Sequence, residues 1–345
     1  PIPNHTEGIR LVLAALEDKE TGVIKSLKEI DAVGHRVVHG GEKFAKSVLI
    51  NDEVIEVIDS LTDLAPLHNP ANLTGIRAFR ELMPDVPMVG VFDTAFHQTM
   101  PKEAYLYALP YSAYSDLMIR RYGFHGTSHY YVSKKAAELL GKPIEQTKIV
   151  TCHLGNGSSI CAVDGGKSID TSMGFTPLEG VPMGTRCGDI DPAIVTYVME
   201  KLNLAIAGIT NYLNKESGVY GISGISSDFR DLADAENTNE QAATALKTFS
   251  YKVKKYIGAY ACAMGGLDAI VFTAGVGEND RRVRELVLEG LEFLHVEPDF
   301  EYNMTCKRGE VVDISKKSSK VRVFVIPTDE EMVIAQDTAR IVKCM

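Results

Sequence analysis

The stretch KIVTCHLGNGSSICAVDGGKSIDTS, residues 148–172, does most to decide the fold of this chain. Its opening KIVTC is apolar and β-branched and reads as a buried strand. Gly155, Asn156 and Gly157 then form a polar turn whose backbone tolerates positive φ and close approach of a ligand. ICAV reads as a second strand, DGGK as another turn, and SIDTS as a third strand. Successive N–H groups in the glycine turn, with the hydroxyls of Ser158 and Ser159, make a concave anion site suited to a polyphosphate. A Walker loop runs strand, GxxxxGK[ST], helix. Here a hairpin follows instead, which argues against that motif. An ordinary hairpin turn is the competing reading of the same residues.

Outward from this hairpin, strands and helices alternate. On the N-terminal side, HTEGIRLVLAALED, VIEVIDSLTDLA and NLTGIRAFRELMP carry helical periodicity, while DAVGHRVVHGG and VPMVGVFDTAF read as strands. A helix is expected over 128–140. On the C-terminal side, AIVTYVMEKL and the run 239–264 read as helices. DAIVFTAGVGEN is strand then glycine turn, RRVRELVLEGL a helix, VRVFVIP a strand and EEMVIAQDTARIV a closing helix. The pattern predicts an α/β fold with two sheet-containing halves, divided somewhere between Phe96 and Lys148. In open α/β sheets ligands sit at the carboxyl ends of strands; Arg36, Asp93, His153 and Glu330 all fall near such ends.

Composition removes several classes. The 345 residues suffice for two domains, and the 45% hydrophobic share is that of a globular chain. No apolar run approaches the roughly 20 residues of a membrane span, and PIPNHTEGIR lacks the layout of a signal peptide. A net charge of -10 without a Lys/Arg run argues against nucleic acid as a partner. The six cysteines are scattered with no CxxC, as expected of reduced thiols in a cytoplasmic protein.

Each candidate residue has a structural reading beside the functional one. Asp93 tops a buried strand; it serves either as a turn cap or as a hard oxygen ligand for Mg²⁺. Thr328 and Glu331 fit a capping box, which leaves Glu330 free to face a metal or ligand. Arg36 and Arg186 read either as salt-bridge partners, with Asp189 and Asp191 close to Arg186 in sequence, or as forks of donors for phosphate or carboxylate. His125 and His129 stand i, i+4, but no glutamate follows His125, so HExxH zinc chemistry is disfavoured. A glycine-flanked imidazole such as His125 suits donation to a developing phosphoryl charge. AGVGEN (274–279), with Glu297 and Asp299 further on, carries a rival dinucleotide-binding reading. Asp280 stands in place of its third glycine and opposes a pyrophosphate.

Taken in order, GHRVVHGG (34–41), LAPLHNP (64–70), VFDTAFHQTMP (91–101), YGFHGTSH (122–129), HLGNGSS (153–159), TSMGFTPLEG-PMGTR (171–186), SSDFRD (226–231), FTAGVGEN (272–279) and IPTDEE (326–331) closely resemble the acetate kinase (acetokinase) family. The resemblance covers essentially the whole chain. It implies two related actin-like ATPase domains of ribonuclease H-like α/β fold with a nucleotide cleft between them. On that pattern residues 1–96 with 331–345 form the first domain and 97–330 the second. It implies Mg²⁺- or Mn²⁺-dependent phosphoryl transfer from ATP to acetate, giving ADP and acetyl phosphate, in a cytoplasmic homodimer. Propionate or butyrate are the alternative acceptors. By the same resemblance, Arg36, Arg186, His125 and Asp93 are catalytic, and Asp93 and Glu330 hold the metal. Arg36, Val38, Leu67, Phe124 and Pro177 bind the carboxylic acid. His153, Leu154, Gly155, Asn156 and Gly157, then Asp228, Phe229 and Arg230, then Gly275, Val276, Gly277, Glu278 and Asn279 bind the nucleotide.

The chemistry agrees with that assignment. A carboxylate needs no general base to attack phosphorus, so the protein must bring two anions together and bind the equatorial oxygens. Two arginines, a histidine and a divalent cation supply such a field. One departure is plain: the family opens with an N-x-G-S-S-S-x-K phosphate loop that this chain lacks. If the protein itself lacks that segment, the expectation is a weakened first domain and reduced turnover, down to a nucleotide-binding fragment without turnover; if this sequence is only part of the protein, the full acetokinase activity is expected.

Overall fold

The computed structural model describes residue 2 and residues 4–66 and 68–345. The chain divides into two compact units, Pro1–Gln98 with Asp329–Met345, and Thr99–Thr328.

The smaller unit holds three strands, β1 (Val33–Val37), β2 (Val48–Leu49) and β3 (Met88–Phe92), in the order β1-β3-β2. β1 runs parallel and β2 antiparallel to β3. All five residues of β3 are buried, which is why MVGVF reads as an unbroken apolar run rather than an alternation. Helices Asp52–Ser60 and Asn69–Leu82 bury Ile58, Leu73 and Ile76 against Val37 and Phe92, and Phe44 stacks on Phe92 at 4.3 Å. The closing helix Glu330–Val342 lies on all three strands. It comes so near β1 that a Cβ on Gly34 would stand 2.5 Å from Ile334 Cγ2. Its N-cap is Asp329, whose carboxylate accepts from Met332 N at 2.9 Å. This corrects the Thr328–Glu331 capping box expected from sequence: the Thr328 hydroxyl donates to Ser128 instead.

Desolvation sets the protonation of two histidines in this unit. The His35 ring meets Phe79 edge-on at 5.3 Å, and its Nε2 is buried without a hydrogen-bond partner. His39 has no exposed surface. Burial lowers both pKa values to about 4. Both rings are therefore neutral in the native protein, while the unfolded chain takes up protons near pH 6.5. The contribution of these imidazoles to stability is whole above about pH 6.5 and is lost as pH falls toward 4. In an NMR titration the Cε1–H resonances of His35 and His39 should hold their neutral positions from pH 8 down to pH 5. A midpoint near 6.5 for either would contradict its burial.

The larger unit holds β4 (Lys148–Leu154), β5 (Ser158–Asp164), β6 (Lys167–Thr171), β7 (Ala269–Thr273), β8 (Val312–Asp313) and β9 (Arg322–Val325), in the order β6-β5-β4-β7-β9-β8. β4, β5 and β6 form the antiparallel meander that the 148–172 stretch predicts. β7 and β9 then continue parallel to β4. The two faces of β4 differ. Val150, Cys152 and Leu154 join Phe249, Val253 and Ile257 of helix Glu240–Met264 in one apolar core. Thr151 and His153 instead meet the side chains of His129 and Ser128 on helix Gly126–Leu140. β4 and β7 end side by side, so the glycine turn 155–157 and the segment after Thr273 share one end of the sheet. AGVGEN is not a glycine turn: Ala274–Asn279 coil into a six-residue helix entered through Ala274 at φ 65°. The helices Ile206–Lys215, Gly218–Ser223 and Phe229–Ala235 are not among those expected from sequence; the first carries an apolar stripe, Ile206, Ile209 and Leu213, that could have shown it. All six cysteines are free, and burial pushes the Cys152 and Cys161 thiols well up.

Candidate active site

Arg36, Asp93 and Glu330 form one cluster, in the smaller unit. Asp93 follows β3 directly, and its side chain is 1% exposed. Arg36, on β1, reaches it as a fork: Nε donates to Oδ1 at 3.1 Å and Nη2 donates to Oδ2. Glu330 Oε2 lies 3.8 Å from Arg36 Nε. Two carboxylates thus share one guanidinium. Burial raises the Asp93 pKa, and the charge and hydrogen bonds of Arg36 oppose that rise. Burial, then repulsion from Asp93, lifts Glu330 to about 7. Burial lowers Arg36, but the charge and hydrogen bonds of Asp93, with Glu330, leave it raised overall. An excess of negative charge at a strand end, with hard oxygen donors, has the chemistry of a divalent cation site that keeps room for phosphate oxygens. Among the described residues no group of three or more His, Cys, Asp or Glu is placed to hold a metal ion. Val38 is buried beside this cluster, its N–H donating to Asn72 Oδ1 at 3.0 Å. Leu67 lies outside the described residues.

The larger unit brings His125 and Arg186 to the glycine turn. His125 caps helix Gly126–Leu140 in the left-handed region, φ 57° and ψ 25°. A Cβ built on Gly157 would lie 3.5 Å from Arg186 Nη1 and 3.6 Å from His125 Nε2. Of the two readings of Arg186, the salt bridge to Asp189 or Asp191 is not formed. Asp189 accepts from Gly180 N and the Tyr256 hydroxyl, and Asp191 from Ala193 N. Among the described residues Arg186 donates only to the Pro177 carbonyl at 3.3 Å and to Met183 Sδ at 3.8 Å. Desolvation lowers its pKa, with no carboxylate to offset it. A half-buried guanidinium without a counter-ion, aimed at a glycine turn beside an imidazole, is a receptor for an anion. Phe124 is buried next to His125, and Pro177 supplies the carbonyl that Arg186 meets.

The remaining candidates separate into pocket and scaffold. A cleft of about 860 Å³ is lined by Gly155, Asn156, Asp228, Phe229, Arg230, Gly275, Val276 and Asn279, residues drawn from three distant segments. Leu154 lies behind it in the core. His153 stands on the helix side of β4, its Nδ1 2.8 Å from Ser128 Oγ. Gly277 lies against β4 and β7, where a Cβ would be 3.5 Å from the Cys152 carbonyl oxygen. The Glu278 carboxylate closes the local turn by accepting from Ala274 N at 2.8 Å and Thr328 N at 3.3 Å. Sequence reading did not find Ser227, Arg281, Arg282 and Arg308, which also line the cleft. Arg281, Arg282 and Arg308 bring positive charge to a cleft that Asp228, Asp234 and Asp280 also line, and Arg282 is itself paired with Glu236 and Glu285. Nor did it find Arg284, buried and donating to the Gly277 and Glu278 carbonyls, which fixes the helix 274–279 from behind.

The family model for the acetokinase family matches residues 1–336. The acetate kinase of Halothermothrix orenii is 61% identical over 343 residues, covering 99% of this chain and 86% of its own length. The crystal structure of Porphyromonas gingivalis acetate kinase matches with a TM-score of 0.95 at 53% identity, covering 99% of this chain and 85% of that one. The crystal structure of a propionate kinase from Francisella tularensis subsp. tularensis matches with a TM-score of 0.90 at 44% identity, covering 97% and 84%.

Proposed function

Since this chain belongs to the acetokinase family, we propose that it moves a phosphoryl group reversibly between ATP and the carboxylate of acetate, giving ADP and acetyl phosphate. It is accordingly a phosphotransferase with a carboxyl group as acceptor, on the actin-like ATPase fold. The observation that carries the chemical reading is Arg186: a guanidinium without a carboxylate partner, beside His125 and the 155–157 turn.

In the proposed mechanism Arg186 and His125 donate to the equatorial oxygens of the phosphoryl group in flight. Their charge and dipoles are fixed before the reaction, so little reorganisation opposes transfer. Arg36 orients the acetate carboxylate, and Asp93 holds Arg36 in place. The apolar side chains of Val38, Phe124 and Pro177 are assigned to the methyl group. Asn156 and the backbone of 155–157 take nucleotide phosphates, while Asp228, Phe229, Arg230, Gly275 and Val276 take the nucleoside end. Asp93 and Glu330 would hold Mg²⁺ or Mn²⁺, which when bound neutralises phosphate oxygens. No proton need leave acetate, which is already ionised at neutral pH, and no side chain is asked to act as a general base. The assembly proposed is a cytoplasmic homodimer. Supporting self-association, helix Ala193–Leu202 buries none of its residues, although Ile194, Tyr197 and Leu202 are exposed on it. Among the described residues no single helix is long and apolar enough to cross a membrane.

The test is acetyl phosphate formation from ATP, Mg²⁺ and acetate, trapped with hydroxylamine, with propionate and butyrate in parallel. Acetate is expected to give the highest kcat/KM. One methylene changes binding in an apolar pocket by about 1–3 kcal/mol, so propionate should fall behind by tenfold or more. ATP binding without any acyl phosphate would reduce the reading to a nucleotide-binding module.

A further inference from the structure

Three histidines of the larger unit are partnered by hydroxyls. His129 is buried, with Nδ1 2.7 Å from Thr151 Oγ1 and Nε2 2.7 Å from Ser159 Oγ. The same Ser159 Oγ lies 2.8 Å from His125 Nδ1. Beside this chain runs a second one: the Thr328 hydroxyl donates to Ser128 Oγ at 2.8 Å, and Ser128 Oγ lies 2.8 Å from His153 Nδ1. The His125 and His153 rings stack at 4.1 Å, 17° from parallel.

Counting protons gives the first chain a direction. Each hydroxyl carries one proton, and each neutral imidazole has one donor and one acceptor nitrogen. Thr151 has no exposed surface, and His129 is the hydrogen-bond partner of its side chain. If Thr151 accepted from His129, its own proton would be buried without an acceptor, at a cost of about 1–3 kcal/mol. Thr151 therefore donates to His129 Nδ1, His129 Nε2–H donates to Ser159, and the Ser159 proton goes to His125 Nδ1. That leaves the His125 proton on Nε2, the atom that faces Gly157. The second chain ends the same way. Ser128 is buried and accepts from Thr328, so its own proton would lack an acceptor unless it went to His153 Nδ1. Two stacked rings held neutral avoid the repulsion of two imidazolium ions.

We infer that Thr151, His129 and Ser159 are positioning residues, a relay that holds His125 as the neutral Nε2–H tautomer so that it offers the phosphoryl group a donor. This rests on the role proposed for His125. The relay moves no proton during turnover: each hydrogen bond is present before the substrate arrives and remains after the product leaves. His125 then needs no imidazolium charge, and it keeps its donor at pH values where an ordinary histidine has lost its second proton.

The experiment is ¹⁵N NMR of the full chain labelled in histidine, with His125→Gln to assign the resonance, beside kinetics of Ser159→Ala and Ser159→Thr. At pH 7.5, His125 should show a bare Nδ1 and a protonated Nε2. A protonated Nδ1, alone or as imidazolium, would overturn the relay whatever the kinetics. Ser159→Ala should lower kcat by about 10²-fold with little change in the KM for ATP, the scale on which a misplaced group acts. Ser159→Thr should restore most of it. A folded Ser159→Ala with wild-type kcat would also overturn the relay. The role of His125 is judged separately: wild-type turnover in His125→Gln would reject that role, while the tautomer read from the spectrum would still stand or fall alone.

Discussion

Arg186→Ala is expected to cut kcat for acetyl phosphate formation by about 10³-fold or more, the scale on which arginines act in phosphoryl transfer. Its stability should stay within about 1 kcal/mol of the parent, as for a residue whose loss orphans no buried group. The second half follows from what Arg186 lacks. No carboxylate depends on it, and its contacts are a long hydrogen bond to the Pro177 carbonyl and one to Met183 Sδ. The guanidinium is held half-buried at a cost in desolvation that only a bound anion recovers. Arg36 makes the useful contrast. Removing it would strand the Asp93 carboxylate, 1% exposed, without its cation, so Arg36→Ala should lose both turnover and stability. Arg186→Lys would keep the charge but lose the fork, and should recover only part of the rate. Steady-state kinetics with urea unfolding of the variants decides the matter. An Arg186→Ala protein with parental kcat would remove the anchor of the proposed mechanism.

The second large effect lies at a residue that touches no proposed ligand. Gly218 sits at φ 65°, and a Cβ there would stand 2.2 Å from the Met183 carbonyl oxygen and 2.9 Å from Arg186 N. Helix Gly218–Ser223 begins at this point, and its amino end grips the arginine turn from behind. Ser217 N, Val219 N and Tyr220 N donate to the carbonyls of Thr185, Met183 and Gly184 at 2.9–3.0 Å. Gly218→Ala therefore cannot be accommodated by moving a side chain; the backbone of 183–186 has to shift. We expect a loss of about 2–4 kcal/mol in stability, combining backbone strain with overpacking. A displacement of about 1 Å at Arg186 should cost a further factor of about 10² in kcat. Gly224→Ala is the control. Its φ is 69°, but a Cβ there meets nothing within 4 Å. It should lose about 1 kcal/mol and keep its turnover. Equal kcat in the two variants would show that the grip on 183–186 does not position Arg186.

What the sequence discloses, and what it hides, follows the range of the interactions involved. The meander 148–171 is legible because β-branched runs and glycine turns are local signals. Asp93 and Glu330 are legible because each follows an apolar strand. The hydroxyl partners of His125, His129 and His153 are not, since Thr151 and Ser159 meet His129 only through the pairing of β4 with β5, and Ser128 looks like any helix-start serine. SGVYGISG, with its three glycines, shows no helical pattern of its own; it is a helix whose amino end donates to three carbonyls of another segment. The Thr328–Glu331 capping box failed for a related reason. A hydroxyl that fits a local motif was taken by a partner 200 residues away. Local pattern proposes and tertiary hydrogen bonding disposes wherever two polar groups compete for one proton.

One backbone angle has a consequence for how position 125 can vary. His125 occupies the left-handed region, where a Cβ is unfavourable by about 1 kcal/mol and glycine is at ease. The backbone at this site therefore favours the one residue that has no side chain, while the proposed mechanism calls for an imidazole. Mutational drift meets the two preferences unequally. Exchange for glycine would relieve the backbone but leave the buried Ser159 hydroxyl without its His125 partner, and on the proposed mechanism it would also silence turnover.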